Sequence, residues 1–422
     1  MRRMALVMLL LAPALAGAQQ MNEPRTISPP SIATAPSEGP AGNLVAGTEG
    51  TDVPSSAAPT RDAQVIEREL SPRYRPVTAS PGGWFGDVGF YVLRPQWSGG
   101  NPAFAVATTT TTVIPGIPAI EEQVTTIEQT EFDHGYHFAP LVSIGYAGRN
   151  GLGVRARWWT LDSSESVGGS AILDDLAELE SISVSVPSLL GTTALLGSIA
   201  DQVSEGADGI LTVQGSFRSR LDLDVIDAEG IWDTTLGRSS LLVSAGVRYA
   251  HLGQSFDGEI DLASNVGAAT AALRSLHSFD GAGPTVAIHA HRLIGQTNLS
   301  IYGLSRGSLL YGQRRDRASV VVPAGRLNDA DPILYSISRS ASATTDSLRP
   351  VMELEVGGNW TRNVGVCDLF AESGFVGMVW FNAGNAAQSD ALIGSDWSSV
   401  GSDSAHHNLG LVGLRFSAGV RF

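Results

Sequence analysis

From Trp84 onward the chain alternates apolar and polar residues with period two, the signature of strands that present two different faces. Phe217, Leu221, Leu223 and Val225 share one face with Ser219, whereas Arg218, Arg220, Asp222 and Asp224 share the other. Trp84, Val88, Phe90 and Val92 alternate with Asp87, Gly89 and Tyr91 in the same way. Further on, Phe138, Val142, Ile144 and Tyr146 oppose His137, Ala139 and Ser143, and Val154, Ala156 and Trp158 oppose Arg155, Arg157 and Trp159. Val247 and Tyr249 flank Arg248, while Val286, Ile288 and Ala290 oppose His289 and His291. Leu299 and Ile301, facing away from Ser300 and Tyr302, open a less regular segment that runs to Tyr311. Met352, Leu354, Val356 and Trp360 oppose Glu353 and Glu355, and Leu369, Ala371 and Phe375 oppose Asp368 and Glu372. Val412 to Phe422 closes the series against Arg415 and Arg421. The pattern predicts about ten strands, with about twelve as the alternative, most near the 9–11 residues with which a tilted strand crosses a bilayer.

Alternation alone does not separate a soluble sandwich from a membrane barrel, because both have one apolar face. The connections do. A long one after the first strand, to about Tyr136, is followed by a tight one at Ala147–Asn150. Asp162 to about Gly215, Gly253–Asp280, Gln313–Ser347 and Asn382–His407 are long; Trp232–Ser239, Leu293–Thr297 and Arg362–Val366 are short. Strict long–short alternation is what an antiparallel meander gives when one end meets the exterior and the other the periplasm. The predicted fold is therefore all-β: an antiparallel up-and-down transmembrane β-barrel with long extracellular loops and short periplasmic turns. Its apolar faces should meet lipid and its charged faces the lumen. Leu223→Arg and Leu354→Arg should then impair assembly, and Arg220→Leu and Glu353→Ala should be tolerated in folding.

Composition narrows the choice further. The net charge of -15 argues against nucleic acid as a partner, and the single Cys367 excludes an intramolecular disulfide. Arg2 and Arg3, the apolar run from Met4 to Leu15 and the small residues Ala16-Gly17-Ala18 describe a signal peptide, residues 1–18, cleaved after Ala18. Residues 19–80, rich in Pro, Ser and Ala, read as a disordered periplasmic arm, with Gln64–Leu70 able to form a turn or two of helix. Residues 81–422 form the barrel. The implied location is a bacterial outer membrane, with lipid and lipopolysaccharide as partners and the barrel-assembly machinery acting through the C-terminal strand that ends in Phe422.

Several stretches resemble the Legionella-type major outer membrane protein family. They are Trp84-Phe85-Gly86-Asp87-Val88-Gly89-Phe90-Tyr91-Val92-Leu93-Arg94-Pro95, Leu221-Asp222-Leu223-Asp224-Val225-Ile226-Asp227-Ala228-Glu229, and Ala245-Gly246-Val247-Arg248-Tyr249-Ala250. Phe279-Asp280-Gly281-Ala282-Gly283-Pro284, Ser308-Leu309-Leu310-Tyr311-Gly312 and Leu411-Val412-Gly413-Leu414 complete the set. The resemblance covers roughly Trp84–Phe422, leaves out the N-terminal arm, and implies a pore-forming barrel with passive transport or surface roles. It carries no catalytic residues.

The candidate pore-lining residues are Arg155, Arg157, Arg218, Arg220, Asp222, Asp224, Arg248, His289, His291, Glu353, Glu355, Asp368, Glu372 and Arg415. Basic and acidic walls facing each other would set up a transverse field in a pore; paired, they would close the lumen. His289 and His291 point the same way, and with a carboxylate they have the makings of a metal site, but the favoured reading is polar lumen residues bonded across the barrel. No catalytic, cofactor-binding or metal-binding residue is assigned. An enzyme reading would rest on His406, His407 and Asp403 at an outer rim. The helical spacing of Ile172, Leu173, Leu176 and Leu179, and of Leu189 to Ile199, suggests a plug or a cap, and Thr108–Thr112 and Val320–Pro323 suggest strands prolonged beyond the membrane. The functional expectation is a narrow passive pore for small polar solutes or ions. The alternatives are a non-conducting surface or envelope-structural barrel and a rim-active protease.

Overall fold

The computed structural model describes residues 82–113, 121–173, 179–185, 211–236, 239–264, 267–295, 297–324, 335–388, 391–393, 398–400 and 407–422. The predicted signal peptide, the 19–80 arm with its Gln64–Leu70 helix, and the stretch Leu189 to Ile199 lie outside these residues, as do Asp403 and His406. The strands are β1 (Gly83–Trp97), β2 (Pro102–Val113), β3 (Glu121–Glu131), β4 (His137–Ala147), β5 (Leu152–Leu173), β6 (Leu179–Ser185), β7 (Leu211–Leu236) and β8 (Ser239–Ser264). They continue as β9 (Gly267–Leu293), β10 (Leu299–Ala324), β11 (Tyr335–Val364), β12 (Cys367–Trp380), β13 (Ala391–Ile393), β14 (Ser398–Val400) and β15 (Leu409–Arg421).

Ten of these strands close into an antiparallel barrel in the order β1-β15-β12-β11-β10-β9-β8-β7-β5-β4. Closure leaves the wall no free edge, as a bilayer demands of every backbone N–H and C=O. The wall closes where Phe85 pairs with Arg421 and Trp97 with Leu409. Short turns link Ala147 to Leu152 and Val364 to Cys367. Gly151 and Gly365 adopt φ of 80° and 67°, the left-handed region where only glycine avoids a side-chain clash.

The outward face carries a belt of exposed apolar residues, among them Val88, Ile144, Val154, Val247, Val286, Ile288, Val356, Phe375 and Val412. Trp84, Tyr146, Trp232 and Trp360 stand outward near the short turns. Trp158, Ile226, Tyr249, Ala282, Tyr311 and Leu348 follow one another from strand to strand nearer the other end. There the Tyr249 hydroxyl donates to Asp280 at 3.3 Å and the Tyr311 hydroxyl to Asp346 at 3.0 Å. An apolar belt bounded by aromatics with polar tips is the geometry of a barrel fitted to a bilayer.

Four expectations need correction. The long connections Gly253–Asp280 and Gln313–Ser347 are mostly not loops. β7, β8 and β10 run for 26 residues, β9 for 27 and β11 for 30, so the wall continues far beyond the belt. Val320–Pro323 belongs to this extension. Thr108–Thr112 instead lies in a separate three-stranded sheet, β3-β2-β6, and Ile172, Leu173 and Leu179 are in strands rather than a helix.

The fourth correction concerns facing. On β7 it is Phe217, Ser219, Leu221, Leu223 and Val225 that are buried inside, while Arg218, Arg220, Asp222 and Asp224 stand outward. The physical reason is position along the strand. This part of β7 lies beyond the belt, so its outer face meets water and its inner face meets a packed core, the reverse of the polarity inside the membrane. Arg220 accordingly pairs outside with Asp162 at 2.9 Å and with Asp222 at 3.0 Å. The expectation that Leu223→Arg would place a charge in lipid falls with this.

Candidate functional site: the barrel interior

The interior at the level of the belt is a lattice of charges. Arg155 on β5 grips Glu229 through Nε (3.1 Å) and Nη2 (2.5 Å). Arg248 on β8 grips Asp227 through Nε (2.6 Å) and Nη2 (3.0 Å), and its Nη1 reaches across to Glu353 on β11 at 2.5 Å. Arg306 on β10 donates to Asp227 at 2.8 Å and also bonds Glu229. Arg157 donates to the Tyr91 hydroxyl at 2.5 Å and to Glu353 at 3.4 Å. Tyr91 passes the chain on to Glu355 at 3.0 Å, and Glu355 accepts from Arg415 at 2.8 Å. Arg415 lies 3.3 Å from Glu372 and 3.7 Å from Asp87.

Arg248, Arg306, Glu353 and Tyr91 are 0–2% exposed, so water does not reach these groups. Buried charges demand partners, and here Arg157, Arg248, Arg306 and Arg415 each meet carboxylates on two or more strands, while Arg155 pairs with Glu229. Basic and acidic walls are thus joined across the barrel instead of standing apart with a field between them. Arg155, Arg157, Arg248, His289, His291, Glu353, Glu355, Asp368, Glu372 and Arg415 all share the inward face. Arg218, Arg220, Asp222 and Asp224 do not reach the interior.

An apolar layer fills the barrel beside the lattice, on the side away from the short turns. Trp159, Leu221, Leu223, Leu252, Phe279 and Trp380 belong to it, all fully buried. The Tyr91 and Trp159 rings meet edge-on with centroids 5.7 Å apart, which joins the two layers. Further out, Arg349 lies over the Phe279 ring at 4.2 Å and contacts His277 at 2.8 Å, and His277 contacts Asp316 at 2.6 Å. Residues 382–388 turn inward over these groups. Ala383, Ala386 and Ala387 are buried, the Ala383 carbonyl accepts from Arg349 (3.1 Å) and from Gln254 (3.3 Å), and Gln254 accepts from the Ala386 N–H at 3.2 Å. Asn382 makes this reversal at φ 54°, a conformation that Asn tolerates better than most residues.

Sequence reasoning placed Tyr91 on the polar face of its strand without naming it as a site residue, and missed Asp227, Glu229 and Arg306 as interior groups. A signal existed on β7. Val225 and Ile226 are adjacent apolar residues that break the alternation, and at that break the charged positions change from outward Asp222 and Asp224 to inward Asp227 and Glu229.

The extracellular end holds a titratable group outside the spanning segments. His134, between β3 and β4, is 2% exposed and contacts the Ser163 hydroxyl at 2.7 Å and the Ser219 hydroxyl at 3.2 Å. Burial first, and then His137, lower its pKa to about 4 against the opposing pull of Asp133. The neutral ring is the folded form, whereas the unfolded chain takes up a proton near pH 6.5. His134 therefore contributes stability fully above about pH 6.5, and that contribution declines as pH falls toward 4. Limited proteolysis of the segment before β4 should quicken over this range in the native chain and lose that pH dependence in His134→Asn. An NMR titration that placed the His134 ring near 6.5 would overturn this.

Residues 83–422 match the family described as Legionella pneumophila major outer membrane protein precursor. The chain belongs to that family. Its members' place in the outer membrane agrees with the apolar belt and the closed wall. No curated protein matches the chain. Among solved structures, the outer membrane protease OmpT from Escherichia coli is similar at 7% identity and a TM-score of 0.35, over 81% of this chain and 97% of that one. A Pseudomonas aeruginosa FadL homologue is similar at 8% identity and a TM-score of 0.25, over 81% and 90%. The Pseudomonas putida toluene transporter TodX follows at 7% identity and a TM-score of 0.20, over 82% and 91%.

Proposed function

We propose that this family member is a closed outer-membrane barrel that acts at the cell surface, through the wall and connections that stand beyond the membrane, and is not an open pore. The observation that carries the reading is the double filling of the interior, an ion-paired layer backed by a layer of buried Trp, Phe and Leu. Diffusion of a polar solute would need both layers to part, and parting the first exposes buried charges to each other's loss. The length of β7 to β11 supports the same reading, since strands of 26–30 residues far exceed the roughly 9–11 that crossing requires. On this proposal lipid and lipopolysaccharide surround the belt, and β15 with Phe422 is the strand that the assembly machinery recognises. Residues 1–18 act as the export signal.

Purified folded protein should give no stepwise conductance in planar bilayers over a range of salts and voltages. Reproducible channels from the unsubstituted protein would overturn the proposal and restore the narrow-pore reading. Deletions in the extension, made at the ends of β8 and β9, should leave insertion intact while changing surface phenotypes.

A further inference from the structure

We propose that His289, His291 and Glu372 form a transition-metal site of zinc type inside the barrel, toward the short-turn end. His289 and His291 lie two residues apart on β9, so both imidazoles point inward, and their ring centroids are 4.1 Å apart. Glu372 comes from β12. One donor atom from each of the three residues lies within 4.8 Å of the others. Around a tetrahedral zinc ion with bonds of about 2.0–2.2 Å such atoms stand about 3.3–3.6 Å apart, so side-chain rotations that draw the three donors together complete the shell.

Two further observations point to a ligand. His289 Nε2 and His291 Nδ1 are buried and have no hydrogen-bond partner among the described residues, and neither has the nearby Tyr302 hydroxyl. The Tyr302 ring lies 5.4 Å and 5.8 Å from the two imidazoles. Unpaired buried polar atoms are costly, so the two imidazole nitrogens of residues that line one small cavity call for an occupant. That cavity, about 90 Å³, is lined by His289, His291 and Glu372, together with Asp87, Asn359 and Arg415. It is large enough for an ion with a water molecule.

The chemistry fits a borderline-soft divalent cation. Two imidazole nitrogens and one carboxylate oxygen supply three ligands, and water can take the fourth position. Glu372 is already oriented, since it accepts from Asn359 at 3.0 Å and lies 3.3 Å from Arg415. Such outer contacts hold a ligand in place. The positive charge of Arg415 is offset by Asp87, Glu355 and Glu372, which all contact it. A bound ion would tie β9 to β12 across the lumen and further close that end. The inference stands whether or not the barrel conducts.

The test uses folded full-length barrel in detergent, stripped with a chelator and titrated with zinc. The variant His406→Gln/His407→Gln serves as the background, which removes the adjacent histidine pair of the outer connection. One zinc ion per chain is expected. His289→Gln, His291→Gln and Glu372→Gln should each weaken binding by more than about tenfold, the scale on which such sites respond to altered ligation. Copper bound in the same background should show electron paramagnetic resonance couplings to two imidazole nitrogens, falling to one in either histidine variant. If a variant fails the heat-modifiable gel shift that reports folding, the coupling pattern of the background protein decides. Absence of binding, an oxygen-only spectrum, or affinity that survives His289→Gln/His291→Gln would each overturn the site.

Discussion

Glu353→Ala is expected to destabilise the folded barrel by about 3–5 kcal/mol, the usual cost of removing one partner from a buried ion-paired cluster. Glu353 is 1% exposed and lies 2.5 Å from Arg248, 3.4 Å from Arg157 and 3.6 Å from Arg306. Its loss leaves three guanidinium groups near one another with only Asp227 and Glu229 to balance them. Alternation by itself predicts tolerance here, because an inward carboxylate in a wet lumen is dispensable; the interior is not wet at this level, and that reverses the expectation. Urea unfolding of vesicle-inserted protein, followed by tryptophan fluorescence, measures the effect. Arg220→Leu, which breaks pairs that are about half exposed, should change stability by no more than about 1 kcal/mol. Glu353→Leu combined with Arg248→Met should recover part of the loss, since apolar replacement of a whole buried pair is often neutral. Equal unfolding midpoints for Glu353→Ala and the unsubstituted protein would contradict the lattice.

Val286→Arg should reduce assembly into bilayers severely. Val286 is 59% exposed on the outer face of β9, in register with Ala245 on β8 and Gly307 on β10, at the middle of the apolar belt. A cation there costs about 2–4 kcal/mol at the bilayer midplane. Asp224→Arg, also outward but beyond the belt, should assemble normally, because its side chain meets water. The folded fraction in vesicles, read from the heat-modifiable shift, distinguishes them. Equal yields, or the greater loss in Asp224→Arg, would show that the belt has been placed wrongly along the strands.

The sequence by itself determined the ten strands of the barrel wall, their antiparallel order and the family, but neither the length of those strands nor the small sheets outside the wall. Period-two alternation is a local property of the pleat, and the short turns are marked by glycines such as Gly365. Inside the belt it also determined facing, as with Arg155, Arg157, Glu353 and Arg415, because lipid imposes one rule on every outward position. Beyond the belt that rule lapses. There the outer face meets water and the inner face a packed core, so Leu223 and Arg220 exchange the sides that a membrane would assign them; Val225 and Ile226 mark the point along β7, and the assembled wall shows which side of it lies beyond the belt. The state of the lumen was also a tertiary decision. Whether Arg248 and Glu353 hold water apart or hold each other depends on their distance across the barrel. That distance follows from how ten strands close, which no single strand records.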